Sequence, residues 1–151
     1  MKNLLLLFIL MPFLSLSGQE SVNQVIPRPV SITPSTGGYK LTMASTVGYD
    51  KSENKDMAEM LVNKLNLATG FKVKSVQGKT GAIQLNLLTT QDQQLGKEGY
   101  TLVSSSRGVI ISANTRSGLY YGIQTLLQLL PPEIESKIAV KADWTVPGVS
   151  I

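Results

Sequence analysis

The residues of this sequence able to do chemistry are ten carboxylates, a serine triplet and one tryptophan; histidine and cysteine are absent. Without histidine there is no Ser-His-Asp relay, no imidazole base and no histidine-ligated zinc. Without cysteine there is no disulfide, thiolate nucleophile or thiolate metal site. Ser104, Ser105 and Ser106 fall in a predicted hairpin turn with no base to activate them. Glu98 is a lone acid at the start of a predicted strand, a place where an exposed, solvated carboxylate is the ordinary outcome. Trp144 has the ring to stack on a sugar, but beside a predicted domain boundary it is read as packing. No catalytic, substrate-binding or metal-binding residue is assigned, and no cofactor.

The elements that would hold a site alternate between two periods. Residues 25–34, VIPRPVSITP, carry three prolines in an extended pattern and predict a strand or edge segment. Thr36-Gly37-Gly38 predicts a turn, with a short strand after it in YKLTM and another at 46–49. From Ser52 to Thr69 the period becomes helical, with Met57, Met60, Leu61, Leu65 and Ala68 on one stripe, read as core-facing. Gly70 is placed to end that helix in the left-handed conformation. FKVKSV (71–76) and AIQLNLL (82–88) alternate as strands. GYTLVSS (99–105) and GVIISAN (108–114) make a hairpin across Ser106-Arg107.

GLYYGIQTLLQLLPP, residues 118–132, follows without a single charged side chain. Asn114 or Thr115 caps a helix beginning near Arg116, and Pro131-Pro132 stops it. Glycine within a helix costs ~1 kcal/mol relative to alanine, so Gly118 and Gly122, on one face, predict a close approach of another backbone. The remaining stripe, Ser117, Tyr121, Gln124 and Gln128, is polar but neutral. A solvated helix face ordinarily carries Lys or Glu. Such a stripe is covered either by something outside the domain or by the rest of the domain itself; the expectation is an outside partner, with these four residues as the interdomain contact. A membrane dimer of the GxxxG type does not suit a helix this short with two glutamines.

The bulk numbers agree with one domain. The chain has 151 residues, 42% of them hydrophobic and 16% charged, a net charge of +4 and a pI near 9.4. Its eleven lysines and three arginines are scattered and form no basic patch, which argues against nucleic acid. At the N-terminus Lys2, the apolar run Leu4 to Leu14, and the small residues Ser15, Ser17 and Gly18 form a secretory signal peptide over 1–18. The apolar run is about half of the ~20 residues that span a bilayer. LSGQ at 16–19 is similar to a lipoprotein cleavage box, but Gln19 stands where the lipidated cysteine would be. The expectation is a bacterial chain exported to the periplasm or secreted, with no lipid anchor and no membrane contact after cleavage.

Taken in order, these segments resemble the N-terminal non-catalytic domain of the β-N-acetylhexosaminidases of glycoside hydrolase family 20. VIPRPVSITPSTGGYKL is similar to the family's opening strand. The more specific block is GKEGYTLVSSSRGVIISANTRSGLYYGIQTLLQLLP, with Glu98, Gly99, Tyr100, Gly118, Gly122, Thr125, Leu126, Gln128 and Leu129 at the family's motif positions. Trp144 and the VPGVSI end resemble the seam before the catalytic barrel.

The resemblance implies an α+β fold, a mostly antiparallel sheet with two helices packed on one face, similar in outline to metalloprotease domains without their zinc motif. It implies a domain over 19–143 and the start of a linker to a (β/α) barrel over 144–151. In the family the chemistry is substrate-assisted: an adjacent Asp-Glu pair in the barrel supplies the general acid and orients the substrate's acetamido group. No Asp-Glu dipeptide occurs here, and the family's substrate-binding arginine lies beyond Ile151, so none of these roles is carried over. The chain looks cut off before its barrel. The expected function is that of an accessory scaffold of an exported β-N-acetylhexosaminidase acting on terminal N-acetylhexosamine, inactive by itself, with the barrel as partner and glycans reached through the barrel only. The alternatives are a free-standing glycan-binding module of the cell envelope and an envelope protein-interaction domain unrelated to carbohydrate.

Overall fold

The computed structural model describes residues 25–151; the segment read as a signal peptide lies outside them. Seven strands, β1 (Thr33–Lys40), β2 (Thr46–Tyr49), β3 (Lys74–Gln77), β4 (Ile83–Leu87), β5 (Tyr100–Ser105), β6 (Gly108–Ala113) and β7 (Thr145–Ser150), form one sheet in the order β1-β7-β5-β6-β4-β2-β3. Two helices, α1 (Lys55–Thr69) and α2 (Arg116–Leu129), pack side by side on one face of it. The α+β class expected from the sequence holds. Strand direction divides the sheet: the three junctions from β1 to β6 are antiparallel, and the three from β6 to β3 are parallel. The parallel pairing of β2 and β3 is what a crossover through α1 imposes, because a helix returns the chain to the end where the first strand began.

The helix-facing side of the sheet is built from paired apolar rows. One runs Val47, Ile83, Val109, Ser104, Val149; the next runs Tyr49, Leu85, Ile111, Leu102. Leu61 and Leu65 of α1 and Leu119, Ile123 and Leu126 of α2 descend onto these rows and are fully buried. Each such side chain contributes about 1.5–3 kcal/mol by leaving water. The row on the opposite face, Gln84, Ile110, Val103, Ser150, carries no helix, and Val103 and Ile110 are exposed there.

Local chemistry sets the helix ends where the sequence placed them. A 3-10 turn at Ser52–Asn54 leads into α1, and Gly70 ends it at φ 71°. Thr115 is the N-cap of α2, its hydroxyl accepting from the Gly118 amide at 3.3 Å. Gly108, at φ 142°, closes the two-residue β5–β6 hairpin loop of Ser106 and Arg107.

Four expectations are corrected. Gly37-Gly38 is not a turn: β1 runs through it as one strand with a bulge between Pro34 and Gly38, Gly37 taking φ 78° and Gly38 lying against the Val146 carbonyl. Proline-rich residues 25–32 precede that strand without joining it. Ser104 and Ser105 belong to β5, and Ser104 is buried under β7 with its hydroxyl donating to Val146. Residues 144–151, where a linker was expected to begin, hold β7, which lies inside the sheet between β1 and β5, with Trp144, Val146 and Val149 buried. Pro147 and Gly148 are accommodated opposite the β1 bulge, where Gly148 meets the Gly37 carbonyl without room for a side chain.

Candidate functional site

The outer surface of the helix layer, away from the sheet, holds all four residues singled out from the sequence. Ser117, Tyr121 and Gln128 are exposed and Gln124 is half-buried. Two glycines set the layer's height. A Cβ on Gly118 would lie 2.4 Å from the Gly99 carbonyl oxygen, and one on Gly122 would lie 2.4 Å from the Ile111 Cγ2 methyl. The backbone of α2 therefore rests directly on the sheet: Gly118 meets another backbone, as expected, whereas Gly122 meets the side chains of Ile111 and Tyr100.

Three further contacts fix the stretch 97–100 to α2. The Thr115 hydroxyl donates to the Lys97 carbonyl, Gly99 stacks beneath Gly118, and the Tyr100 hydroxyl hydrogen-bonds Thr125 at 2.5 Å. At the other end of the helix the Gln128 side-chain amide clasps one backbone unit: its Nε2 donates to the Ile26 carbonyl at 2.9 Å, and its Oε1 accepts from the Ile26 amide at 2.8 Å. Gln128, expected as an outward contact, thus also ties down its own chain's first described segment. Asn114 braces the preceding loop, donating to the Asp92 and Gly96 carbonyls at 2.6 and 2.9 Å.

Ion pairs close the layer at both ends. Arg116 reaches Asp56 at 2.6 Å, joining the first turns of α2 and α1, and Lys64 reaches Glu135 at 2.6 Å. The Arg116 hydrogen bond holds the Asp56 carboxyl below its ordinary value. Between the pairs Tyr120 and Tyr121 pack edge to face at 5.9 Å. Met60, read from the sequence as core, is 38% exposed in this floor, and Met57 lines the neighbouring cleft. The helical stripe was correctly identified, but α2 covers only part of it. An amphipathic pattern gives a stripe's direction and not its width, so the sequence missed Met60 as a surface residue, along with Tyr120 and Ile26, whereas Met57 packs against the core as expected.

Among the described residues, shallow clefts cross the surface, three of them along the helix layer. The largest, about 410 Å³, is walled by Tyr100, Tyr121, Gln124, Gln128 and Pro27, with Glu98 also lining it. The others lie between the helices, one by Met57, Ser117 and Tyr120 and one by Met60, Gln124 and Leu127. No group of three or more acidic side chains suited to a metal occurs among the described residues, and among them no helix is long and apolar enough to cross a membrane. The surface is aromatic and methionine-bearing, with the bordering charges Arg116 and Lys64 paired at its edges.

Comparison with known proteins gives one consistent relationship. The family described as glycosyl hydrolase family 20, domain 2, matches residues 22–151. A β-hexosaminidase of Porphyromonas gingivalis is 36% identical over 130 residues, a match that covers 84% of this chain and 16% of the relative. The solved N-acetyl-β-hexosaminidase of Streptomyces plicatus, in complex with Thio-NAglucal, superposes with a TM-score of 0.79 at 34% identity, covering 85% of this chain and 26% of that one. The β-N-acetylhexosaminidase of Streptomyces coelicolor A3(2) gives the same score and identity over 86% and 26%. The chain spans about a quarter or less of the length of these relatives.

Proposed function

The chain belongs to glycoside hydrolase family 20, of which it carries domain 2, and from that premise we propose that it is the accessory, scaffolding domain of an exported β-N-acetylhexosaminidase that removes terminal N-acetylhexosamine from glycoconjugates. The helix-layer surface carries the proposal. Ser117, Tyr121, Gln124 and Gln128, joined by Tyr120 and Met60, dock against the catalytic (β/α) barrel of the same parent protein. Tyrosine and methionine are enriched at interface cores and charge is depleted there; this surface has that composition, and its bordering charges Arg116 and Lys64 are already paired. The glycan meets the barrel and not this domain, and the chain alone is inactive, since it has no adjacent Asp-Glu pair.

Purified chain assayed against a chromogenic N-acetylglucosaminide is expected to show no turnover above buffer; turnover would refute the scaffold role. Saturable binding of chitooligosaccharides by the chain without a barrel would favour a glycan-binding module instead. Export rests on the charge, apolar core and small residues of positions 1–18. It is tested by N-terminal sequencing of the product recovered outside the cytoplasm, which should begin near Gln19.

A further inference from the structure

We propose that the cleft between the start of β5 and α2 is an anchor pocket for an arginine side chain of the catalytic barrel, with Glu98 as its counter-charge; this rests on the docking proposed above. Four charged residues line the three clefts of the helix layer. Arg116 is paired with Asp56, and Lys64 with Glu135. Glu98 alone has no ion partner among the described residues, and it lines the largest cleft.

The backbone that carries it is held in place before any partner arrives. The backbone on either side is fixed by the Thr115 bond to Lys97, by the contact of Gly99 with Gly118, and by the Tyr100–Thr125 hydrogen bond. A carboxylate on an immobilised backbone loses less entropy when it is paired. Docking a barrel over this surface would strip its water, and an unpaired charge so covered is strongly unfavourable.

The walls select the kind of cation. Tyr100 and Tyr121 line it with aromatic rings, and Gln124 adds a side-chain amide. The Gln128 amide is already engaged with Ile26. A planar guanidinium stacks on tyrosine and forks onto a carboxylate in one geometry, whereas a lysine ammonium is a strongly hydrated point charge. Buried Tyr and Arg are also the residues that concentrate interface energy. Glu98 is in this view a positioning residue for the barrel, with no part in the chemistry.

The test uses the full-length parent enzyme. Its native arginines are modified with phenylglyoxal and followed by peptide mass spectrometry, and thermal unfolding reports whether the two domains melt together. One barrel arginine is expected to be protected in the wild type, to react on the order of tenfold faster in Glu98→Gln, and faster still in Glu98→Lys. Tyr121→Lys separates this inference from the docking it rests on. If Tyr121→Lys splits the unfolding transition but no arginine responds to either Glu98 variant, the domains dock and the anchor pocket is refuted. If neither the transition nor any arginine responds to any of the three variants, docking itself fails and this inference with it. If no arginine responds and a non-hydrolysable chitobiose analogue shows a second binding isotherm that Glu98→Gln abolishes, the occupant is a saccharide and the proposal is overturned.

Discussion

Replacing Gly122 by alanine sets two effects of known size against each other. By intrinsic propensity the change favours the helix by ~1 kcal/mol. The structure opposes it. The added Cβ would stand 2.4 Å from the Ile111 Cγ2 methyl and 3.3 Å from a ring carbon of Tyr100, where carbon atoms ordinarily sit about 3.5–4.0 Å apart. Ile111 is fully buried, and a β-branched side chain has little χ1 freedom, so its methyl cannot swing aside. Either Ile111 leaves its rotamer or α2 lifts from the sheet and loosens Leu119, Ile123 and Leu126. Overpacking of this kind costs about 1–3 kcal/mol, sometimes more, and the glycine at an ordinary helix site is worth ~1 in the opposite direction. The difference is about 0–2 kcal/mol, and because a 2.4 Å approach to an immobile methyl lies toward the upper end of the overpacking cost, destabilisation of about 1–2 kcal/mol is expected. Urea unfolding measures it as a lowered midpoint with an unchanged slope. In an Ile111→Ala background the same change should cost less, because the opposing methyl is gone. A Gly122→Ala midpoint equal to or above the parent's would refute the close-approach account of both glycines.

Thr115→Ala removes the α2 cap and the hydroxyl bond to Lys97 together; a loss of about 1–2 kcal/mol is expected in the same urea assay, with Thr115→Ser retaining most of the stability. Gln128→Ala opens the clasp on Ile26. Both bonds are exposed, so global stability should fall by no more than about 1 kcal/mol, while exchange of the Ile26 amide proton accelerates; unchanged exchange would mean the clasp does not hold that segment. The Asp56 carboxyl is depressed by Arg116, so its contribution is present at neutral pH and lost as pH falls through a value below 3.8. The stability difference between wild type and Asp56→Asn should therefore be small, constant from about pH 5 upward, and vanish in acid and in high salt; a difference that grows toward low pH would reverse the assignment.

Much of the helix layer was legible from the sequence because its signals are short-range. Thr115 followed by Arg116, the double proline at 131–132 and Gly70 each act on a backbone group within four residues. The neutral stripe on α2 was visible for the same reason, as a one-helix period. Met60 was misplaced because its exposure depends on how far the neighbouring α2 reaches across α1. Glu98 was read as an exposed acid, which it is, but the cleft around it is assembled from Pro27, Tyr100 and Gln128, more than a hundred residues apart at the extremes.

The sequence by itself determined what chemistry is available, where each helix starts and stops, and which strand positions alternate toward a core. These follow from side-chain inventory and from hydrogen bonds closed within a turn. Tertiary structure alone decided that Gly37-Gly38 is a bulge and not a corner, that the final strand is drawn between β1 and β5, and that half the sheet runs parallel. Each of those outcomes is fixed by backbone groups pairing across more than twenty residues. A glycine reads alike in any short window whether it faces solvent or a carbonyl 2.4 Å from where its side chain would be. Only the packed chain supplies the second surface that makes the difference.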